Sequence, residues 1–207
     1  GDLYQAQFDS KDWSGKVVAL RPASVATGTL TAEEKWDAGE EINELSPTGS
    51  APTGRQILTY KPSTDEGIPF VWDELDLIQQ QALSDLKVDG TYDYDKGKER
   101  LSFLRGDNTK EGKDADQFRE RSSDLGDIVN SSPAYVSRPN LRYDMKCGDK
   151  DYSTFRADNT ERNRMVYVGS NDGMLHGFDA GSKNPKYPDT SKEPFTSGTG
   201  LEKIAYV

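Results

Sequence analysis

The sequence predicts a mainly β fold with helical insertions, assembled from short hairpins, and three observations predict it. Only 33% of the 207 residues are hydrophobic, while Gly and Pro number 19 and 10, a composition that suits short strands and long surface loops better than a helical bundle. The stretch "VYVGSNDGMLHGFDA" at 166–180 reads as a whole hairpin. Val166 and Val168 share one face and Tyr167 takes the other; "NDG" tolerates the positive φ of a tight turn; Met174, His176 and Phe178 then alternate with Leu175 and Gly177. Thirdly, "SGKVVALR" at 14–21 and "DGMLHGFD" at 172–179 both run polar, Gly, variable, apolar, variable, small, apolar, charged, a weak internal repeat. Repeated short hairpins are the material of propeller blades, and two unrelated hairpins are the plainer alternative that the pattern leaves open.

The elements follow in order. In "LYQAQF" Leu3 or Tyr4, Ala6 and Phe8 alternate with polar neighbours, "DSKDWSG" turns, and "KVVAL" resumes, so residues 3–20 read as a hairpin. "TAEEKWDAGEEINEL" opens with Thr31 and places Glu34 three positions on, a capping-box pattern that predicts a helix over 31–45, with Trp36, Ile42 and Leu45 near one face and Gly39 weakening it. "SPTGSAPTG" is loop material and "RQILTY" at 55–60 a short strand. In "WDELDLIQQQALSDL" Trp72, Leu75, Gln79, Ala82 and Leu86 lie near helical spacing, with Ile78 and Leu83 in the same stripe, which makes 72–86 the best helix of the chain. Residues 87–126 are mostly charge and turn, with Phe103, Leu104 and Phe118 as isolated anchors. "DIVNSSPAYV" returns to strand, Pro133 placing it at an edge or strand entry. A polar loop at 138–163, the hairpin at 166–180, a Pro/Gly/Ser-rich loop at 181–200 and a strand at "LEKIAYV" complete the reading.

Composition excludes some functions. The formal charge is -10 and the pI about 4.7, which disfavours nucleic acid, since phosphate binding needs a clustered basic face. Acidity serves solubility first, with cation binding or a basic partner as the alternatives. The single cysteine, Cys147, makes no internal disulfide, and there is no Cys/His cluster for zinc. No run approaches the ~20 apolar residues of a membrane span. The opening "GDLYQAQF" has no signal-peptide pattern, so the signal of an exported protein would lie outside these residues or have been removed.

Few residues suggest chemistry. His176 is the only histidine and stands inside a predicted strand, where a packed or surface imidazole is favoured over a general base. No nucleophile elbow or phosphate-binding Gly loop is present. "DGTYDYDKG" at 89–97 sets Asp89, Asp93 and Asp95 at positions 1, 5 and 7 of a loop, with the Thr91 hydroxyl at position 3. Closely spaced oxygens suit Ca²⁺, which takes about six to eight of them, although Gly at position 6 and Glu at 12 of an EF-hand are missing. Arg105, Gly106 and Asp107 spell the integrin-binding tripeptide, for which a local turn is the favoured alternative. Trp13, Trp36 and Trp72 could stack on sugars if exposed, but core or inter-blade packing is expected of them.

Taken together, "FDSKDWSGKVVAL", "RQILTY", "FVWDELDLIQQQAL", "FLRGDNTKEG", "FRERSSDLGDIVNSSPAYV", "RMVYVGSNDGMLHGFDA" and "GLEKIAYV" resemble the C-terminal β-propeller domain of the PilC/PilY family of type IV pilus biogenesis adhesins. "LGDIVNSSP" followed by "VYVGSNDGMLHGFDA" is the specific pair, since "VYVGSNDG" alone is common to quinoprotein-like propellers. The resemblance implies a quinoprotein-like β-propeller of which residues 1–207 form only the N-terminal part, with insertions at about 21–126 and 138–163. It implies calcium through Asp-rich loops, which strengthens the Asp89, Thr91, Asp93, Asp95 reading, although the "DxDxDxxxD" calcium loop of the family is absent.

The function expected is binding without turnover: an exported, pilus-associated module at the cell surface or outer membrane whose insertions touch pilus components such as minor pilins, or a host-cell receptor, with possible control by calcium. A quinone-dependent periplasmic dehydrogenase is one alternative. Such enzymes seat the quinone between a tryptophan and a disulfide of adjacent cysteines, and this chain has one cysteine, so no quinone is expected. A purely structural pilus-assembly module is the other alternative.

Overall fold

The computed structural model describes residues 2–24, 30–45, 54–139, 141, 143, 150–182 and 196–207; Cys147 and most of the predicted loop at 181–200 fall outside them. The alternation at the start of the chain builds β1 (Leu3–Asp9) and β2 (Ser14–Ser24), an antiparallel pair with Leu3 opposite Leu20 and Asp9 opposite Ser14. Its turn carries a correction. Trp13 is not core but 56% exposed, in left-handed backbone at φ 59. Its N–H donates to the Asp9 carbonyl and its own carbonyl accepts from the N–H of Asp127, so backbone bonds on both sides aim the indole outward. Trp36 is buried as expected, and Trp72 is partly buried.

The helix expected over 31–45 begins as a strand. β3 (Leu30–Asp37) pairs antiparallel with β2, and α1 (Ala38–Glu44) starts only afterwards, capped by the Asp37 carboxylate on the N–H of Gly39. Glu33 and Lys35 form an ion pair at 2.7 Å, two residues apart and so on one face of a strand but on different sides of a helix. The Thr31 hydroxyl donates across the sheet to the Ala23 carbonyl and caps nothing.

The second sheet has six strands in the order β5-β4-β11-β10-β9-β8. β8 (Ala134–Val136), β9 (Arg164–Gly169), β10 (Leu175–Gly181) and β11 (Glu202–Tyr206) form an antiparallel meander. β4 (Ile57–Lys61) joins β11 in parallel, and β5 (Glu66–Pro69) hairpins back on β4. The best sequence helix is shorter than predicted. A 3-10 turn at Trp72–Glu74 ends at Leu75, whose ψ of 142 breaks the helical phase, and α2 (Leu77–Leu83) restarts with a capping box between Asp76 and Gln79. Ile78 and Leu86, assigned to the apolar stripe, are therefore exposed, whereas Leu75 is buried.

Residues 87–126 are not all turns. β6 (Asp85–Leu86) and β7 (Tyr92–Asp93) make a small ladder, and α3 (Tyr94–Leu104) follows. The stretch 21–126 supplies the last strand of the first sheet, two strands of the second, the β6–β7 ladder and three α-helices. Within 138–163 a helix, α4 (Lys150–Asp158), also appears. No helix among the described residues is long and apolar enough to cross a membrane.

One core of Val17, Ala19, Trp36, Ala38 and Ile42 from the first sheet and α1 meets Val166, Val168, Phe178 and Ala180 of the second, with Leu125 and Ile128 between. A smaller core joins Ile57, Ile68, Phe70, Leu75, Leu101, Met174 and Ala205. The sequence repeat is also a structural one. β2 shifts register against β3 between Ala19 and Leu20, and β10 shifts against β11 between Gly177 and Phe178, the same place in the repeat. The residue skipped in the partner strand is a lysine both times, Lys35 and Lys203. Tyr4 opposite Ala19 opposite Trp36 corresponds to Tyr167 opposite Gly177 opposite Ile204.

This equivalence decides between a sandwich and radial stacking. In the first sheet the face bearing Val17 and Ala19 enters the shared core, whereas in the second the entering face bears Phe178, the counterpart of Leu20. Unlike faces meet, so one unit is turned onto the next head to tail, the operation that generates a ring and not a two-layer sandwich of like faces.

Candidate functional site

The two turn ends are clasped by residues 125–127. The N–H of Gly15 donates to the Leu125 carbonyl at 2.9 Å, and a Cβ at Gly15 would lie 2.0 Å from the Gly126 carbonyl oxygen, so only glycine allows this approach. On the other side the N–H of Asn171 donates to the Asp127 carbonyl, and the Asp172 carboxylate accepts from the N–H groups of Gly126 and Met174.

From Asp172 a chain of charge runs into the protein. His176, on the inward face of β10, directs Nε2 to the Asp172 carboxylate at 3.0 and 3.2 Å and Nδ1 to Glu202 of β11 at 2.7 Å. Glu202 in turn receives Arg55 in a two-pronged pair, Nε at 2.7 Å and Nη2 at 2.9 Å. The side chains of His176 and Glu202 are fully buried and that of Arg55 is 1% exposed. Burial alone would neutralise these groups. Instead, burial pushes His176 down, but the hydrogen bonds and charges of Asp172 and Glu202 outweigh it and raise its pKa. Burial pushes both carboxyls up, yet His176, joined by Arg55 at Glu202, brings each down to about 2. Two cations and two anions cancel in place.

The Ser170 hydroxyl lies 3.3 Å from His176 Nε2, so serine, imidazole and the Glu202 carboxylate line up like a hydrolytic triad. The chemistry differs. An imidazolium held between two carboxylates has no lone pair for a serine proton, and at 0% exposure no substrate reaches it. The expected packed histidine is therefore what the fold contains, as the centre of an ionic relay.

The relay makes stability depend on pH with a definite sign. The depressed carboxyls contribute above their ordinary range near pH 4 and lose that contribution as pH falls toward about 2. The raised histidine contributes fully below its ordinary pKa of about 6.5 and loses its contribution as pH rises through the higher folded value. Melting temperature is therefore expected to peak between about pH 4.5 and 6.5 and to decline above pH 7, and His176→Phe should remove the alkaline decline. A melting temperature still rising from pH 6 to 8 in the parent protein would refute this.

The sequence-predicted sites have local roles. The Asp89 carboxylate accepts from both the N–H and the hydroxyl of Thr91, which ties them into a turn. Asp93 caps α3 on the N–H of Lys96 and pairs with Lys87 at 3.5 Å, while Asp95 stands in the first turn of α3. Among the described residues no group of three or more His, Cys, Asp or Glu is placed to hold a metal ion. The tripeptide Arg105, Gly106 and Asp107 ends α3. The N–H of Gly106 donates to Phe103 and that of Asp107 to Ser102, the Schellman pattern, with Gly106 at φ 107. The Arg105 guanidinium turns inward to the carbonyls of Phe70 and Arg55, and Asp107 is occupied by Thr109. It is a helix terminus and not a protruding loop.

What the meander leaves free is its opposite end. The tight turns at 10–13 and 170–174 share the clasped end, so the connections 137–163 and 182–201 leave from the other, as does 25–29 of the first sheet. On the longest of these lies an aromatic group that sequence reasoning missed. Tyr152 meets Tyr143 at 5.1 Å and Phe155 at 5.8 Å between ring centroids. Tyr143 is 47% and Phe155 45% exposed. The only sequence signal was three aromatics within an otherwise polar loop.

Residues 125–198 match a family model described as the PilY1 beta-propeller domain. Two relatives, each named Type IV pilus biogenesis factor PilY1, from Pseudomonas aeruginosa strains PAK and PAO1, are 38% identical over 180 residues, which is 85% of this chain and 15% of theirs. A PilY1 homolog from Xylella fastidiosa strain Temecula1 is 34% identical over 86% of this chain and 13% of its own. The chain thus spans about 15% of the length of the first of these relatives. No solved structure matches the chain significantly.

Proposed function

From a chain that belongs to the PilC/PilY family of type IV pilus biogenesis proteins, and that carries part of the β-propeller of that family, we propose a non-enzymatic binding module, exported and pilus-associated. Its clasped end is scaffold, and its long-loop end presents the contact surface. The single observation that carries this reading is the aromatic group on the 137–163 connection, in which exposed Tyr143 and Phe155 flank a half-buried Tyr152. Aromatic rings with polar tips and little side-chain entropy to lose are efficient anchors for a partner. A pilus component such as a minor pilin is the partner proposed, and a host-cell receptor the further one.

The test separates these readings. In the full-length protein, Tyr152→Ser with Phe155→Ser leaves the cores untouched. Surface piliation and attachment to host cells are then scored independently. Loss of attachment by about tenfold with normal piliation supports a receptor-facing surface, and parallel loss of both supports a pilus-component contact. If neither changes, the aromatic group binds nothing and the proposal fails.

A further inference from the structure

A polar cavity of about 130 Å³ opens beside the clasp, between α1, the loop that follows α3 and residues 121–124. A water molecule takes up ~30 Å³ of liquid, and pockets for larger apolar ligands begin near 300 Å³, so this space suits one small polar ligand. Its lining side chains are all polar, among them Asn43, Asn108, Glu111, Arg121 and Asp124, and exposed Ser122 marks its mouth.

Arg121 sets this cavity apart. Its side chain is 9% exposed and firmly held. Nε donates to Glu111 at 2.6 Å, the other Glu111 oxygen accepts the Arg121 backbone N–H at 2.9 Å, and the guanidinium stacks on Phe103 at 3.8 Å. Nη2 is nevertheless buried without a hydrogen-bond partner. Asp124 Oδ1, at 3.4 Å, compensates its charge but does not accept its proton. A buried donor left unmet is costly, and a guanidinium pinned by Glu111 and Phe103 cannot swing away to find an acceptor.

We propose that this cavity is a binding site for a neutral, hydroxyl-rich ligand, the vicinal diol of a sugar or polyol, with one hydroxyl oxygen accepting from Arg121 Nη2 and its neighbour donating to Asp124. Charge and hydrogen-bond capacity select this class. Two carboxylates stand around one guanidinium, so an anion is repelled. A metal ion or an ammonium group brings no acceptor for Nη2. A hydroxyl both accepts and donates, which matches a wall of acceptors interrupted by one unmet donor. Water has the same capacity and is the competing occupant. The inference does not rest on the aromatic group of the 137–163 connection.

The test titrates the intact purified protein with the methyl glycosides of glucose, galactose and mannose and, separately, with glycerol, read by saturation-transfer NMR. At least one is expected to bind with a dissociation constant on the order of 1 mM. Binding of a glycoside assigns the site to a glycan-borne sugar and binding of glycerol alone to a free polyol; either supports the proposal. Arg121→Lys keeps the charge but loses the planar fork, and should weaken binding about tenfold. Because Arg121 also ties the loop after α3 to residues 121–124, Ser122→Leu gives a second reading: it narrows the mouth, leaves the pair with Glu111 in place, and should abolish binding at an unchanged melting temperature. Silence from every probe at about tenfold above that constant would leave only water in the cavity. Undiminished binding by both variants would put the ligand elsewhere, and tighter binding of inorganic phosphate than of any polyol would make this an anion site. Each of these three results overturns the proposal.

Discussion

Glu202→Ala is expected to destabilise the folded protein by about 3–5 kcal/mol, because it removes one partner from a fully buried set of charges and leaves the others without compensation. Arg55 would lose both of its short contacts and His176 its contact at Nδ1. The change is read as a shift in the denaturation midpoint of the full-length protein. Glu202→Gln keeps the shape but not the charge and should be nearly as harmful. Replacing Arg55, His176 and Glu202 together by Met, Phe and Leu should recover much of the loss, since well-packed apolar groups often match a buried ion pair. A loss below about 1 kcal/mol for Glu202→Ala would mean that water reaches the relay and that its buried geometry is misdescribed.

Phe178→Ala should cost about as much, roughly 3–5 kcal/mol, by a different route. The ring is fully buried among Val17, Ala19, Trp36, Val166 and Val168 and lies parallel to His176 at 5.8 Å, 4° between planes. Truncation opens a cavity between two backbone sheets that cannot close without parting from the 125–127 clasp. Leu20→Ala, at the equivalent place in the first unit, should cost clearly less, since Leu20 lies outside the shared core. Equal losses at the two positions would argue against the head-to-tail contact of unlike faces.

The hairpins were legible because their instructions are local: strict alternation, and a turn written in "NDG" and "DSKDWSG". The repeat was legible too, and the lysine bulges later made it structural. Elsewhere local signals competed. "TAEEKWD" satisfies both a capping box and a two-residue alternation, and pairing with β2 chose the strand. α3 was hidden by its many charged residues and by Gly97, with only Leu101 and Gly97 buried. The helix at 72–86 lost its first turn because Leu75 extends to reach the smaller core.

The relay could not be read at all as a unit. Arg55, Asp172, His176 and Glu202 meet only through the strand order β4-β11-β10, which long-range pairing sets. A faint trace existed in His176, a polar residue at an inward-facing position of an otherwise apolar strand face. The acidic loop at 89–95 and the tripeptide at 105–107 show the converse, motifs whose residue types suit a ligand and whose side chains bond the protein's own groups, Asp89 to Thr91 and Arg105 to the carbonyls of Phe70 and Arg55.

Ionic strength acts differently on the two kinds of charge in this molecule. Mobile ions screen exposed pairs over a Debye length of about 8 Å at physiological salt, and Lys16 with Asp37, half open on the lysine side, will feel them. Arg55, His176 and Glu202, with side chains at most 1% exposed, are screened far less, so the relay holds the second sheet to the clasp with little dependence on salt. Exposed ion pairs can therefore vary with the salinity of the surroundings while the buried relay does not.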